Sequence, residues 1–355
     1  MTIMGPHDLD HAVSEAVRVL RDVAHLDWSV PAAGLEWSCH DTAVHLAGDL
    51  TGFAAQLAGR VTGSWLPLRV TAAPDTSPGG VVDLVEASGR LLVAAVHAAG
   101  PDARAWHPAG AAGPDGFAAM GAAETLLHCH DILNGLGATH WRGDERTAAL
   151  VLDRLFPHAP LSTSGDAWDS LLVATGRADL PDLAPQRNWR WYNDPIRGVG
   201  VILCEIGPEA AADLHAGGTG GFAWTEDGPA EGTRIGAGMV GLAHEVGEYR
   251  PGWGPYAIVR ARDHRAIGGI GFHGAPDPDG QAEIGYDLVA SARRRGHATE
   301  ALRALAGWAF DQPGLTGLHA RVDEDNAASH AVLRRAGFQE SGTDEGVVLY
   351  RLNPL

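Results

Sequence analysis

The sequence predicts two domains, an all-α four-helix bundle followed by an α/β or α+β domain built on a sheet. Three observations predict this. From residue 7 to about 175, apolar residues recur at three- and four-residue steps, with Gly/Pro clusters between the segments. From Val199 onward, short strand-like runs alternate with helical stretches rich in Ala and Leu. Between the two textures, Leu180–Pro195 carries Pro181, Pro185 and Pro195 and no sustained period, which suits a linker. The expected domains are therefore 1–180 and 196–355, joined by 181–195.

The first domain is read as helices near 7–26, 40–59, 79–98 and 114–136, with shorter ones near 144–155 and 166–175. In the fourth, Phe117, Met120, Glu124, Leu127 and His128 fall on one helix face, so that face is core-directed. The second domain opens with a strand over 199–206 and helices at 208–216 and 233–247. Strands follow near 256–263, 266–273 and 281–289. A helix at 298–311, a strand at 316–323, a helix at 326–336 started by Asn326, and a strand pair within 338–352 close the chain.

Length and composition bound the function. A chain of 355 residues can bury two cores, and 45% hydrophobic with 20% charged residues fits globular protein rather than disorder. No run of about eighteen uncharged apolar residues exists. Asp8, Asp10 and Glu15 stand where a signal peptide would need positive charge and then apolar residues. A cytoplasmic protein with no membrane partner is expected. Cys39, Cys129 and Cys204 are odd in number and far apart, which argues against a disulfide framework or a zinc ribbon. The net charge of −18 disfavours nucleic acid and anionic membranes; it suits a cationic or amine-bearing partner, or simply serves solubility.

The most informative stretch is Glu283-Ile-Gly-Tyr-Asp-Leu-Val289, followed by Arg293-Arg-Arg-Gly-His-Ala-Thr-Glu300. It reads as strand, basic turn and helix start. A helix start offers unpartnered N–H groups and the positive end of its dipole, and Gly296 removes the side chain that would hold a phosphate away. Arg293, Arg294 and Arg295 add charge. The spacing Arg293-x-x-Gly296-x-Ala298 resembles the pyrophosphate motif of the GNAT acyltransferases. The flanking Ala282-Glu-Ile-Gly-Tyr, Ala298-Thr-Glu-Ala-Leu and Asp325-Asn-Ala-Ala-Ser-His-Ala-Val-Leu-Arg-Arg-Ala-Gly-Phe segments resemble the ribosomal-protein-alanine acetyltransferase branch. The resemblance covers 196–355 and implies the GNAT fold with a central mixed sheet and acetyl-CoA as donor.

In that family a strand splays from its neighbour and its backbone pairs with the pantetheine arm. Leu288, Val289 and Ala290 hold that place here; their side chains are otherwise core residues. The resemblance matches Arg293, Gly296, Ala298 and Asn326 to the family's cofactor contacts, with Ser329 near the thiol end; Arg294, Arg295, His297 and Thr299 are cofactor candidates as the added charge and the first helical turn around that motif. Asn326 reads equally as a helix cap. Acetyl transfer to an amine needs the amine neutral and a proton returned to the thiolate. Many relatives place a tyrosine seven residues after the asparagine as the acid, whereas this chain has Leu333. Glu283 is the candidate base, or an exposed strand residue; Tyr286 and Ser329 are candidates for polar assistance. The acceptor pocket is sought in 206–256 among Trp224, Trp253, Tyr256, Glu226, Glu245 and Glu248, which mix ring faces and carboxylates but also fit packing and a solvated rim.

In the helical half, His45 on one helix and Glu124 with His128 on another form a second constellation. A carboxylate and an imidazole on a core-facing stripe are costly unless paired, and two His with one Glu suit a divalent metal. Glu36-Trp-Ser-Cys-His-Asp-Thr-Ala-Val-His-Leu46 and Glu124-Thr-Leu-Leu-His-Cys-His-Asp131 resemble segments of the mycothiol-dependent maleylpyruvate isomerase N-terminal and DinB-like domains. The resemblance covers roughly 7–175. It implies a divalent metal, commonly zinc, at His45, Glu124 and His128, and a link to low-molecular-weight thiols. His130 and His40 are substitute ligands, and Asp131 is a residue that could orient one. Cys39 and Cys129 read as oxidation-prone or simply buried.

Together these expectations describe an N-acetyltransferase acting on a small-molecule or peptide amine, fused to a metal-binding helical domain. Two rivals stand beside it. One is a metal-dependent thiol transferase with a tailoring acetyltransferase; the other is a protein that binds CoA or an antibiotic without turnover.

Overall fold

A computed structural model describes residues 3–162, 165–181, 190–192 and 194–354. It divides into two compact units, Met1–Phe156 with Leu161–Asp194, and Pro157–Pro160 with Pro195–Leu355. The linker expectation falls largely on residues 182–189 and 193, outside the described residues.

The first unit holds α1 (Pro6–Asp22), α2 (Cys39–Gly59), α3 (Pro78–Ala98), α4 (Pro114–Gly135), α5 (Glu145–Leu155) and α6 (Ala167–Ala174). The helices start where the sequence supplies caps. The Ser38, Ser77, Asp144 and Asp166 side chains each accept a first-turn N–H, and α1, α3 and α4 begin with proline. α1 stops at Asp22 rather than 26, because residues 23–25 turn, with Leu26 N donating to Val23 O at 3.0 Å. α4 is the central helix, with Phe117, Met120, Ala123 and Leu127 all buried. Gly121 lets it close on its neighbours: a Cβ there would strike Leu92 and crowd Leu9.

The second unit is a mixed eight-stranded sheet. Its strands are β1 (Ile196–Arg197), β2 (Val201–Glu205), β3 (Pro255–Arg260), β4 (Arg265–Phe272), β5 (Gln281–Leu288), β6 (Gly317–Asp323), β7 (Gln339–Asp344) and β8 (Val347–Leu352). They lie in the order β1-β2-β3-β4-β5-β6-β8-β7. The expected strand 199–206 is β2, which begins only at Val201 because β1 and β2 form a hairpin about residues 198–200. The helices are α7 (Pro208–His215), α8 (Glu231–Glu245), α9 (His297–Phe310) and α10 (Ala327–Ala336).

Leu302 and Leu305 of α9 share one core with Leu203, Ile258, Ile270, Ile284 and Leu318 of the sheet. Truncating either leucine to alanine would cost about 2–5 kcal/mol. Asp287 holds the start of α8 to β4 and β5: its carboxylate accepts from Thr233 N (2.9 Å), Thr233 Oγ1 (2.7 Å) and Gly269 N (3.0 Å). Among the described residues no helix is long and apolar enough to cross a membrane.

Every pairing in the sheet is antiparallel except β5 with β6, which are parallel and matched only at Gln281–Glu283 against Gly317–His319. Beyond that point β6 continues against β8 and β5 continues against β4 alone. The sheet therefore opens in its middle.

Candidate functional site

The opening leaves a strand edge without a protein partner. Along β5, His273 N donates to Glu283 O and Val289 N donates to Ile267 O, each at 3.0 Å. Antiparallel pairing alternates, so residues 283, 285, 287 and 289 turn their peptide groups to β4, while Ile284, Tyr286 and Leu288 turn theirs to the opening. This shifts the expected segment. Leu288 lies on the open edge, its carbonyl accepting from Arg293 Nε at 3.0 Å. Val289 has its N–H committed to Ile267, and Ala290 begins a short 3-10 turn through Ala292. The open edge is thus Ile284–Leu288.

The basic turn lies at the end of this strand. Arg294 (φ 60°) and Gly296 (φ 88°) are left-handed, which a glycine adopts without strain. Gly296 is the N-cap of α9 with no side-chain cap, and the space where its Cβ would sit is open. The first-turn N–H groups of His297, Ala298 and Thr299 are left over from the helix ladder. Arg293, Arg294 and Arg295 are exposed. His297 Nδ1 is buried with no hydrogen-bond partner among the described residues, and burial holds this ring below the usual histidine range. A polar atom left unpaired beside free amides fits an anionic ligand.

Across the opening, Asn326 Oδ1 accepts from Ser329 N at 3.1 Å and caps α10. The Tyr286 hydroxyl spans from β5 to α10, donating to Ser329 O at 3.2 Å. Burial pushes this phenol up, so it stays protonated. Leu333 is wholly buried in the sheet core and offers no proton.

Beside the open edge lies a cavity of about 290 Å³ between α8 and strands β3–β5. Ile235, Met239 and Val240 of α8 wall it with Trp253 and Phe272; Gly269, Gly271 and Gly285 line it without side chains; Glu248, Arg250, His273 and Asp287 bring polar groups. Of the acceptor residues expected from the sequence, Trp253 and Glu248 line this cavity. Trp224 and Tyr256 do not: both are buried, with Trp224 Nε1 donating to Thr219 O and Tyr256 Oη to Gly252 O. Glu226 and Glu245 are exposed and lie off the cavity lining.

Glu283 stands at the last matched rung of β5 and β6. His273 Nδ1 lies 3.3 Å from its Oε1, and His319 Nε2 lies 3.6 Å from its Oε2. His273, one residue past the end of β4, lies opposite Glu283 on β5, which lies opposite His319 on β6, so the three form one row. His273 lines the cavity, whereas Glu283 is one rung behind it. Neither histidine carries a sequence signal, because the register that unites them spans about 46 residues of intervening chain, 273 to 319.

In the helical unit, His45, Glu124 and His128 meet as expected, and Asp49 joins them. One ligand atom from each of the four lies within 4.8 Å of the others. His45 Nε2 is 3.0 Å from Asp49 Oδ2, and His128 Nε2 is 2.9 Å from Glu124 Oε2. Asp49 is four residues after His45, the same spacing as Glu124 to His128, so each helix presents one His and one carboxylate.

The site is strongly electrostatic. Burial works against a charged His128, yet the hydrogen bonds that the ring donates to the Asp131 and Glu124 carboxylates outweigh it and hold the ring at about 9. Burial also works against an ionised Glu124, and His128 outweighs it to keep that carboxyl below its usual range. Burial raises Asp49, only partly offset by His45. Asp131 lies 3.4 Å from His128 Nδ1 and is gripped by Arg177 at 2.9 and 2.7 Å. That is the position of a residue that orients a ligand imidazole. Two imidazoles and two carboxylates with mutually close donor atoms fit a divalent cation.

The substitute ligands do not take part. His40 Nε2 is 3.1 Å from Thr76 O, and His130 packs against Trp168 and Asn134. Burial pushes the Cys39 thiol up to about 11 and Cys129 far above its ordinary value, so both are inert buried thiols.

Comparison with known proteins follows this division. Residues 224–339 match the family described as Acetyltransferase (GNAT) domain, and residues 9–133 match the Mycothiol maleylpyruvate isomerase N-terminal domain. The uncharacterized N-acetyltransferase YjdG of Bacillus subtilis (strain 168) is 36% identical over 87 residues, 24% of this chain and 52% of the relative. The uncharacterized N-acetyltransferase YoaA of the same organism is 37% identical over 90 residues, 25% of this chain and 49% of the relative. The chain spans about half the length of the curated relatives it matches. Among solved structures, RimL, a ribosomal L7/L12 alpha-N-protein acetyltransferase in complex with coenzyme A, is 20% identical with a TM-score of 0.34, covering 45% of this chain and 98% of that one. The ribosomal-protein-S5-alanine acetyltransferase of Vibrio fischeri is 16% identical with a TM-score of 0.33, covering 45% and 96%.

Proposed function

We propose that this chain, which joins a mycothiol maleylpyruvate isomerase N-terminal domain to an acetyltransferase (GNAT) domain, transfers acetyl from acetyl-CoA to an amine. The observation that carries the reading is the open edge Ile284–Leu288 running into the bare N-terminus of α9 at Gly296. The edge offers main-chain groups to an extended amide-bearing arm, as an added strand would receive them. The amides of His297, Ala298 and Thr299 then receive the diphosphate, with Arg294 and Arg295 alongside.

In this reading the acceptor enters the cavity beneath α8. Its apolar walls suit an amine on an apolar body, small molecule or peptide terminus, and Glu248 supplies a carboxylate at the rim. Proton removal from the ammonium falls to the polar row containing Glu283. The protonated Tyr286 hydroxyl, facing Ser329, returns a proton to the thiolate in the role Leu333 cannot fill. The metal cluster belongs to the helical unit. His45, Asp49, Glu124 and His128 would hold a divalent cation, which when bound lowers the pKa of a coordinated thiol or water. Asp131 and Arg177 would fix the His128 ring for it.

Titrating the full chain with acetyl-CoA in a calorimeter, and following free-thiol release over a panel of apolar primary amines, tests the reading. Saturable heat and amine-dependent thiol release are expected. A flat titration would overturn it. Binding without thiol release across the panel would favour a protein that sequesters the thioester.

A further inference from the structure

We infer that His273 is the base that takes the proton from the acceptor's ammonium group, and that Glu283 acts behind it as a positioning residue. The inference rests on the acetyl-transfer reading above and assigns one of its steps to an atom.

Three observations carry it. His273 lines the cavity and Glu283 does not. The His273 ring points its Nδ1 at Glu283 Oε1, 3.3 Å away, while its Nε2 lies 2.9 Å from the point a Cβ on Gly285 would occupy. Gly285 itself lines the cavity, so the far nitrogen of the ring stands over its side-chain-free floor. A carboxylate beside Nδ1 favours the tautomer with the proton on Nδ1, which leaves the Nε2 lone pair directed toward the cavity. That is the division of labour by which a carboxylate orients a catalytic imidazole, here with the Glu283 side chain 28% exposed.

The surroundings supply the rest. His319 Nε2 approaches the other oxygen of Glu283 at 3.6 Å, so the carboxylate has an imidazole on each side. Asp287, two rungs along β5, is consumed by Thr233 and Gly269 and does not compete for the ring. The His273 side chain is 52% exposed, so a proton taken from the cavity has a direct exit to water.

The step balances without a further reactant. The ammonium N–H bond breaks and its proton joins Nε2, giving an imidazolium paired with Glu283, which then releases that proton to water. The freed nitrogen pair forms the C–N bond to the thioester carbonyl. As the C–S bond breaks with its electron pair on sulfur, the nitrogen loses a second proton and the thiolate gains one.

The test compares the full-length wild type with His273→Gln, His273→Ala, Glu283→Gln and Gly285→Ala, using acetyl-CoA and the best amine of the panel. Retained acetyl-CoA binding shows that each variant is folded. His273→Gln should lower kcat by about 100-fold or more while the amine KM stays within about threefold. Imidazole in the buffer should restore part of the turnover of His273→Ala, which a merely structural role would not permit. Gly285→Ala, whose methyl group would meet Nε2, should lower kcat without removing any titratable group. A His273→Gln enzyme within about threefold of wild type, or a loss that imidazole leaves untouched, overturns the inference. A wild type that binds acetyl-CoA but turns over no amine sinks the acetyl-transfer reading instead, and the two failures are distinct.

Discussion

Replacing Asp49 by Asn should move the metal-free and metal-loaded protein in opposite directions. Without metal, Asp49 and Glu124 place two carboxylates within 4.8 Å, where at an effective dielectric of about 20 their repulsion is about 3.5 kcal/mol. Burial already raises the Asp49 carboxyl, and His45 offsets only part of this. The amide oxygen that replaces the carboxylate can still accept from His45, whose side chain is 38% exposed, so little is lost there. The net gain of the metal-free variant should be about 1 kcal/mol. With a divalent ion bound, the same change removes one donor of four. Since even residues that merely orient a ligand are worth about 10- to 100-fold in metal affinity, the metal-linked stabilisation should shrink by up to about 2.7 kcal/mol. At about 2–4 °C per kcal/mol, the chelated variant should melt a few degrees above chelated wild type, and its gain on adding zinc or manganese should be smaller by about 5–10 °C. Scanning calorimetry of both proteins after chelation and after metal titration, with elemental analysis of bound metal, reads both arms. A variant that melts lower when chelated and keeps the full metal-dependent gain would refute the assignment of Asp49 as a donor.

Three other outcomes follow from the same geometry. Gly296→Val should place a branched residue at φ 88°, costing about 1–3 kcal/mol locally, and weaken acetyl-CoA binding at least tenfold by calorimetry while the far-ultraviolet spectrum stays unchanged. Tyr286→Phe should lower kcat about tenfold or more with little change in acetyl-CoA affinity, read in single-turnover thiol release. His107, buried and held neutral at about 4 against an ordinary 6.5, contributes stability that is complete above pH 6.5 and is lost as pH falls toward 4. That separation corresponds to about 3 kcal/mol at most, so His107→Asn should flatten the acid limb of a urea-denaturation series between those values; an unchanged slope would count against it.

Local signals made most of the architecture legible. Ser38, Asp144 and Asp166 announce their helices because a side-chain oxygen within three residues of a free amide is a property of the chain alone. Gly296 announces its turn for the same reason. Asp49 was within reach of the same logic, since it repeats the four-residue step already visible in Glu124 and His128. The His273–Glu283–His319 row was not, because strand register is decided by packing far along the chain. Trp224 and Tyr256 lie off the cavity because composition gives their chemistry but not the packing that buries them. The edge at Ile284–Leu288 was displaced from the expected Leu288–Ala290 because hydrogen-bonding direction alternates residue by residue, and only observed pairing fixes its phase.

A sheet that parts between its fifth and sixth strands keeps its unmet hydrogen bonds in the interior of the ladder rather than at its rim. An exposed outer edge invites pairing with another chain, and a long one is a hazard for any soluble protein. Here the gap is narrowed at one end by three matched residues and flanked by a strand already paired elsewhere, so a foreign strand has no flat approach. The same fault line therefore turns its main-chain groups inward, where the matched residues at one end and the paired strand beside it limit what can approach.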